Sequence, residues 1–183
     1  MRRLQEPGVE PSLSASRRAL RATLLRVLPA ALPLSLVVFA GHAAAATCSA
    51  STVGAAFGSY DVFAGTASTT TGSVKVSCSL GAELFVTINY TISLSAGSSN
   101  SFAQRTMKSG ANTLGYNLYT SNAYSTVWGD GSGSTSTVSG NMTVWFFVPN
   151  ASTTTTVYGR VPASQDVAVA NNYQDNVTVT VTY

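Results

Sequence analysis

Few side chains in this 183-residue chain are suited to chemistry: two cysteines, Cys48 and Cys78, one histidine, His42, and seven carboxylates. An export leader, described below, would carry the cysteines into an oxidising compartment, where an even pair is expected to close a disulfide. Two free thiols are the alternative. The bridge would stabilise the fold by about 3 to 4 kcal/mol through the entropy it removes from the unfolded chain. His42 falls inside the leader, so a mature chain would hold no histidine. That excludes Ser-His-Asp and Cys-His triads, imidazole general bases and histidine metal ligands. Asp61, Glu83, Asp130, Asp166 and Asp175 are dispersed, and no two stand at a spacing that suggests an acid-base pair, although a paired-carboxylate site could still assemble in space. Asp130 sits between Gly129 and Gly131 without the alternating acidic partners of a calcium loop, so it reads as a turn residue. The expectation is a protein that is not an enzyme and has no cofactor or metal.

Met1 to Ala46 reads as a signal peptide. Arg17, Arg18, Arg21 and Arg26 form a positive region, Leu28 to Ala40 an apolar stretch of thirteen residues, and Ala43 to Ala46 a small-residue cleavage site. A membrane-spanning helix needs roughly 20 apolar residues, so no span is expected once the leader is cleaved. Six of the ten basic residues lie in it, and the whole chain's net charge of +3 belongs to the precursor. Residues 47–183 keep Lys75, Arg105, Lys108 and Arg160 against five carboxylates, a net charge of −1. Four scattered cations make no phosphate-tracking stripe, so nucleic acid is not an expected partner.

Period-two patterns dominate the rest. Val74, Val76 and Cys78 alternate with Lys75 and Ser77, and Leu84, Val86, Ile88, Tyr90, Ile92 and Leu94 share one face of a longer strand. Leu114 to Leu118, Val138 to Val148, Thr153 to Val161 and Asn176 to Tyr183 supply further strands. A polar connection around Ala163 to Gln174 separates the last two. Six or seven short strands with Gly/Ser/Thr-rich turns predict an all-β fold, an antiparallel immunoglobulin-like β-sandwich with one disulfide. The closing strand places Val177, Val179, Val181 and Tyr183 on one face, and its unpaired edge could meet another chain.

In Val144-Trp145-Phe146-Phe147-Val148 consecutive large apolar residues break the alternation. Val144, Phe146 and Val148 would face the core and Trp145 and Phe147 the outside, either under a loop or as a binding surface. Trp145, Phe147, Trp128 and Tyr124 are therefore candidate surface contacts, with core packing and loop anchoring as the plainer alternative. Asn89-Tyr-Thr91, Asn141-Met-Thr143, Asn150-Ala-Ser152 and Asn176-Val-Thr178 match the N-glycosylation pattern. They carry no assigned function, because an Asn/Ser/Thr-rich chain produces such matches by chance.

Phe57-Gly58-Ser59-Tyr60-Asp61, Gly72 to Cys78, Leu114 to Tyr119, Val127 to Gly131, Tyr158 to Pro162 and Tyr173 to Tyr183 together resemble the spore coat protein U domain family. The resemblance spans Cys48 to Tyr183, and residues 47–183 are taken as that domain. The family includes pilus subunits of the archaic chaperone-usher pathway. It implies a sandwich lacking one strand, whose open groove is filled first by a periplasmic chaperone and then by a sibling subunit's extension at an outer-membrane usher. Val177, Val179, Val181 and Tyr183 match the family's carboxyl-terminal motif, which marks them as candidates for lining the groove and contacting a chaperone. Cleavage after Ala46 would leave only Thr47 ahead of Cys48, so no donor segment is evident. The expected function is a non-catalytic pilus-like, fimbria-like or spore-coat-like subunit, passing through the periplasm to the cell surface. The alternatives are a secreted adhesin or glycan-binding module and a non-polymeric coat or matrix protein.

Overall fold

In the computed structural model residues 46–170 and 172–183 are described, so the expected leader lies almost wholly outside the described residues. Ten strands follow one another: β1 (Thr47–Val53), β2 (Ser68–Ser79), β3 (Phe85–Leu94), β4 (Arg105–Ser109), β5 (Asn112–Tyr119), β6 (Val127–Trp128), β7 (Thr135–Ser136), β8 (Val138–Trp145), β9 (Asn150–Val161) and β10 (Val179–Thr182). One sheet runs β1-β2-β9-β5-β6-β7, with β4 also paired to β5, and the other runs β10-β3-β8. All pairs are antiparallel except β6 with β7. A constant-type immunoglobulin sandwich orders its first, second, fifth and fourth strands in one sheet and its third, sixth and seventh in the other. Here β1, β2, β9 and β5 take the first set, and β3 and β10 begin the second. The seventh place, on the free side of β10, has no occupant among the described residues.

The alternating residues bring the sheets together. Val74, Val76 and Cys78 from β2 and Ile88, Tyr90, Ile92 and Leu94 from β3 are buried, as their periodicity predicts. Leu84 is a correction, because it precedes the strand and is 76% exposed. Trp128 is another. It is wholly buried, with its indole N–H donating to the Ile92 carbonyl at 3.1 Å, and so cannot be a surface contact. An indole packs in a core when its one polar atom finds a partner there.

The sheets are also joined through a buried charge. The Arg105 guanidinium, 0% exposed, donates to the Ser95 carbonyl from Nε at 3.0 Å and from Nη2 at 2.7 Å, to the Trp128 carbonyl at 2.8 Å and to Asn117 Oδ1 at 2.7 Å. Ser95 follows β3 in the small sheet, whereas Asn117 and Trp128 belong to β5 and β6 of the large one. Burial holds the Arg105 pKa below its ordinary value, but arginine stays charged at any physiological pH. Lysine offers a point charge and no planar fork, and it would leave buried carbonyls without donors. Arg105→Lys is therefore expected to lower the unfolding free energy by at least about 2 kcal/mol, read as a lower urea midpoint at unchanged m. An unchanged midpoint would show that the knot is dispensable.

Candidate functional site

Among the described residues β1 and β10 each pair on one side only, with β2 and β3 respectively. Between them lies an open cavity of about 410 Å³, walled by Thr52–Ala55 on one side and Gln174–Val179 on the other. Its floor is the sandwich core, including Val74, Leu94, Leu118 and Val157. The Tyr183 hydroxyl reaches the Cys48 carbonyl at 3.5 Å, while residues near Val177 face those near Thr52. The two free edges thus run antiparallel to each other, so a strand laid between them must be parallel to one and antiparallel to the other.

The walls differ in how they are held. Val177, Val179 and Val181 are half-buried and pack on the core, whereas Thr178, Thr180 and Thr182 point outward. Cys48, Ala50 and Thr52 stand opposite the buried Cys78, Val76 and Val74, and so share their inward face. Yet six of the seven residues of β1 are exposed, because nothing among the described residues covers that face beyond the groove. The β2 ladder and the Cys48–Cys78 disulfide hold this wall. Gly72 allows its close approach, since a Cβ there would stand 2.6 Å from the Val53 carbonyl oxygen and 3.1 Å from the Ala55 nitrogen.

One polar pair borders the groove. Tyr116 donates to Asp175 Oδ2 at 2.7 Å, and Asp175 Oδ1 accepts the Ser98 and Asn176 backbone N–H groups at 2.9 and 2.8 Å. Burial, then the hydrogen bond to Asp175, pushes the Tyr116 pKa far above its ordinary value. The phenol stays protonated as a donor. Its partner carboxylate has its nearby donors engaged, so the arrangement orients the Asp175 segment and offers no acid-base couple. Among the described residues no cluster of His, Cys, Asp and Glu could hold a metal.

The carboxyl-terminal candidates thus separate. Val177 and Val179 line the cavity, Val181 packs on the core nearby, and Tyr183 lies outside the lining at 57% exposure. The surface candidates separate too. Trp145 is 41% and Phe147 75% exposed, but β8 ends at Trp145, so Phe146 and Val148 do not enter the core as the alternation predicts. Trp145 N donates to the Val148 carbonyl at 3.0 Å and Val148 N to the Trp145 carbonyl at 2.8 Å, closing a tight hairpin with Phe146 and Phe147 at its tip. Phe147 stacks edge-on against Trp145 at 5.2 Å and against Phe146 at 5.3 Å. Tyr124 is half-buried in the β5–β6 connection. Arg105 had no local sequence signal. Gly72 and Asp175 lie in stretches that carry the family resemblance, but their structural roles were hidden, because Gly72 meets Val53 and Ala55, and Asp175 meets Tyr116 and Ser98, only in the fold.

An immunoglobulin-type sandwich with an open groove beside its last strand defines the class. The family model of the Spore Coat Protein U domain matches residues 35–180, and the chain belongs to that family. No curated protein matches it. Among solved structures, it is similar to a chain of the crystal structure of the CsuC-CsuE chaperone-tip adhesion subunit pre-assembly complex from archaic chaperone-usher Csu pili of Acinetobacter baumannii. The identity is 25% and the TM-score 0.46, over 75% of this chain and 40% of that one. The chain therefore spans less than half the length of that match. No helix among the described residues is long and apolar enough to cross a membrane.

With so little of β1 buried, reducing Cys48–Cys78 is expected to free this wall while the core sheets persist. Amides of β1 should then exchange faster by a factor on the order of ten to a hundred, with β3 and β9 protected as before. Equal protection of β1 in the oxidised and reduced protein would show that the ladder alone holds it.

Proposed function

We infer that this protein is a non-catalytic exported subunit of a pilus-like or coat-like surface assembly, completed by a strand from another chain. The observation that carries the reading is the apolar groove between two strand edges that are unpaired among the described residues, in a fold whose seventh strand place has no occupant among them. An inserted strand would satisfy backbone N–H and C=O groups on both edges. Its alternate side chains would enter the cavity above Leu94 and Val157, while the others join Thr178 and Thr180 outside. Membership of the spore coat protein U family supports a route in which a periplasmic chaperone fills the groove during transit. A sibling subunit's segment then replaces it at an outer-membrane usher, and the product resides at the cell surface. The solved structure named above is itself a chaperone–subunit pre-assembly complex, which agrees with that route without carrying it.

A synthetic ten-residue peptide with alternating Val and Thr tests the reading. Val179→Asp places a carboxylate on the groove side and should weaken peptide binding at least about tenfold. Thr180→Asp, on the outward face of the same strand, should leave binding within about twofold. Thr180→Asp should keep the oxidised protein's circular dichroism. Because Val179 also packs on the core, Val179→Thr, which keeps the side-chain volume without a charge, should retain the fold while weakening binding by a smaller factor. No peptide binding, or equal loss from the two Asp variants, would sink strand insertion at this edge.

A second reading is favoured by the hairpin tip. Tight two-residue turns ordinarily carry Gly, Asn or Asp, yet this one holds two phenylalanines with 65% and 75% of their surfaces exposed. Exposed Leu84 and Phe85 lie beside them, with Phe85 directly opposite Trp145 and Phe146 N donating to the Leu84 carbonyl. An apolar cluster held by backbone hydrogen bonds would suit adhesion to an apolar surface. Replacing Phe146 and Phe147 with Ser should abolish retention on phenyl-substituted resin without lowering the melting temperature. Retention unchanged by both substitutions would exclude the tip as the contact.

A further inference from the structure

A second aromatic cluster stands on the outer face of the large sheet, away from the groove. Tyr158 of β9 lies directly across from Tyr119 of β5 and, on its other side, from Thr71 of β2. Arg160, two residues along β9, points the same way and pairs in register with Thr69. Tyr124 reaches this face from the β5–β6 connection. Its ring meets Tyr119 edge-on at 5.5 Å, and the Arg160 guanidinium carbon lies 5.6 Å from its centroid. Arg160, Thr69 and Thr71 are exposed, and the three tyrosines are half-buried.

Two observations set this face apart from ordinary sheet surface. Tyr124 has φ 51°, a left-handed conformation that a bulky residue rarely adopts. The turn that holds it is closed by Tyr124 N donating to the Ser121 carbonyl at 3.2 Å and Thr120 N to the Thr126 carbonyl at 3.1 Å. The strain is borne where it carries the ring to the arginine. Arg160 is also one of only four cations in residues 47–183, and no carboxylate pairs with it among the described residues. A guanidinium resting on an aromatic face keeps its in-plane N–H groups available for a planar anion.

We propose that Tyr119, Tyr124, Tyr158 and Arg160 form a binding platform for an acidic polysaccharide, one whose pyranose units carry carboxylates. Tyrosine rings offer large, stiff area to the C–H faces of sugar rings, and their hydroxyls, with those of Thr69 and Thr71, suit sugar hydroxyls. Arg160 supplies a bidentate partner for a uronate carboxylate. A neutral glucan would forgo that contact. The platform lies outside the groove, so it would stay open when a strand fills the sandwich.

Affinity electrophoresis of the full oxidised protein in gels containing polygalacturonate, with dextran as the neutral comparator, tests the assignment. Retardation by polygalacturonate and little by dextran is expected, weakening as salt is raised. Arg160→Gln should weaken polygalacturonate retardation at least tenfold. Tyr124→Gly removes the ring and relieves the strained backbone, so it should abolish retardation while the melting temperature holds or rises. Dextran retardation equal to polygalacturonate retardation, or retardation unchanged by both variants, would overturn the platform. So would no retardation of the parent protein, and strand insertion at the groove would be untouched by that result.

Discussion

A single buried cation sets the frame on which the groove is built. Arg105 is enclosed with neutral partners: two backbone carbonyls, one side-chain amide and the Phe102 ring, 5.2 Å from the guanidinium carbon. Burying such a charge is costly, and here hydrogen bonds to oriented dipoles offset the cost in place of a carboxylate. The geometry therefore has little tolerance. Ser95 at the end of β3, Asn117 in β5 and Trp128 in β6 must converge on one plane, which fixes where the small sheet crosses the large one. Met107, two residues beyond Arg105 on the same face of β4, then reaches the groove, and Tyr116 and Leu118 flank Asn117 to reach it from β5. The knot lies on the step from packing to site: it holds the groove floor without touching its contents.

On that floor the two walls are unequal, and the inequality has a physical origin. β10 is anchored by alternating valines on the core, so its free edge is a stable template. β1 buries almost nothing, and a strand of Ser, Thr and Ala on a sheet edge has little reason to stay. The disulfide joins Cys48 to a buried Cys78 directly opposite and converts a marginal edge into a wall. An incoming strand would add the side chains that Ala50 and Thr52 lack as neighbours. On this view stability of β1 and occupancy of the groove are coupled, because whatever fills the groove binds the ordered wall and not the frayed one.

The same asymmetry explains what was legible in the sequence. β3 and β5 stood out because one face of each meets the opposite sheet, which is the condition for period-two alternation. Val177, Val179, Val181 and Tyr183 were legible as a face, although only Val177 and Val179 line the groove. β1 carried no pattern because neither of its faces is covered among the described residues. The Trp145–Val148 turn was misread as strand because its aromatics suggest burial, and only the backbone closure at Val148 shows that the chain reverses. Trp128 was misread for the opposite reason. Flanked by Val127 and Gly129-Asp130-Gly131 it looks like a loop aromatic, but β6 is a two-residue strand paired between β5 and β7, and its indole N–H is claimed by the Ile92 carbonyl of β3. Arg105 could not have been found, since Ser95, Asn117 and Trp128 are brought to it only by the fold.

The placement of the exposed aromatics bears on how assembly and attachment could coexist in one domain. β9 carries the hairpin tip just ahead of its start, where Asn150 follows Pro149, and Tyr158 and Arg160 near its end. A strand rises about 3.3 Å per residue, so the two clusters stand roughly 30 Å apart. Neither contributes to the groove lining, which is drawn from the β1 end, the approach to β10 and the core. A contact at either cluster would therefore leave the strand edges free, and a strand in the groove would leave both clusters exposed. Coupling between them would have to pass through β9 itself. That strand is paired along its whole length with β2, from Asn150 to Val161, and offers no second register in which to store a signal. On the proposed reading, a contact through the backbone edges and contacts through the two side-chain clusters would be independent, with β9 between them.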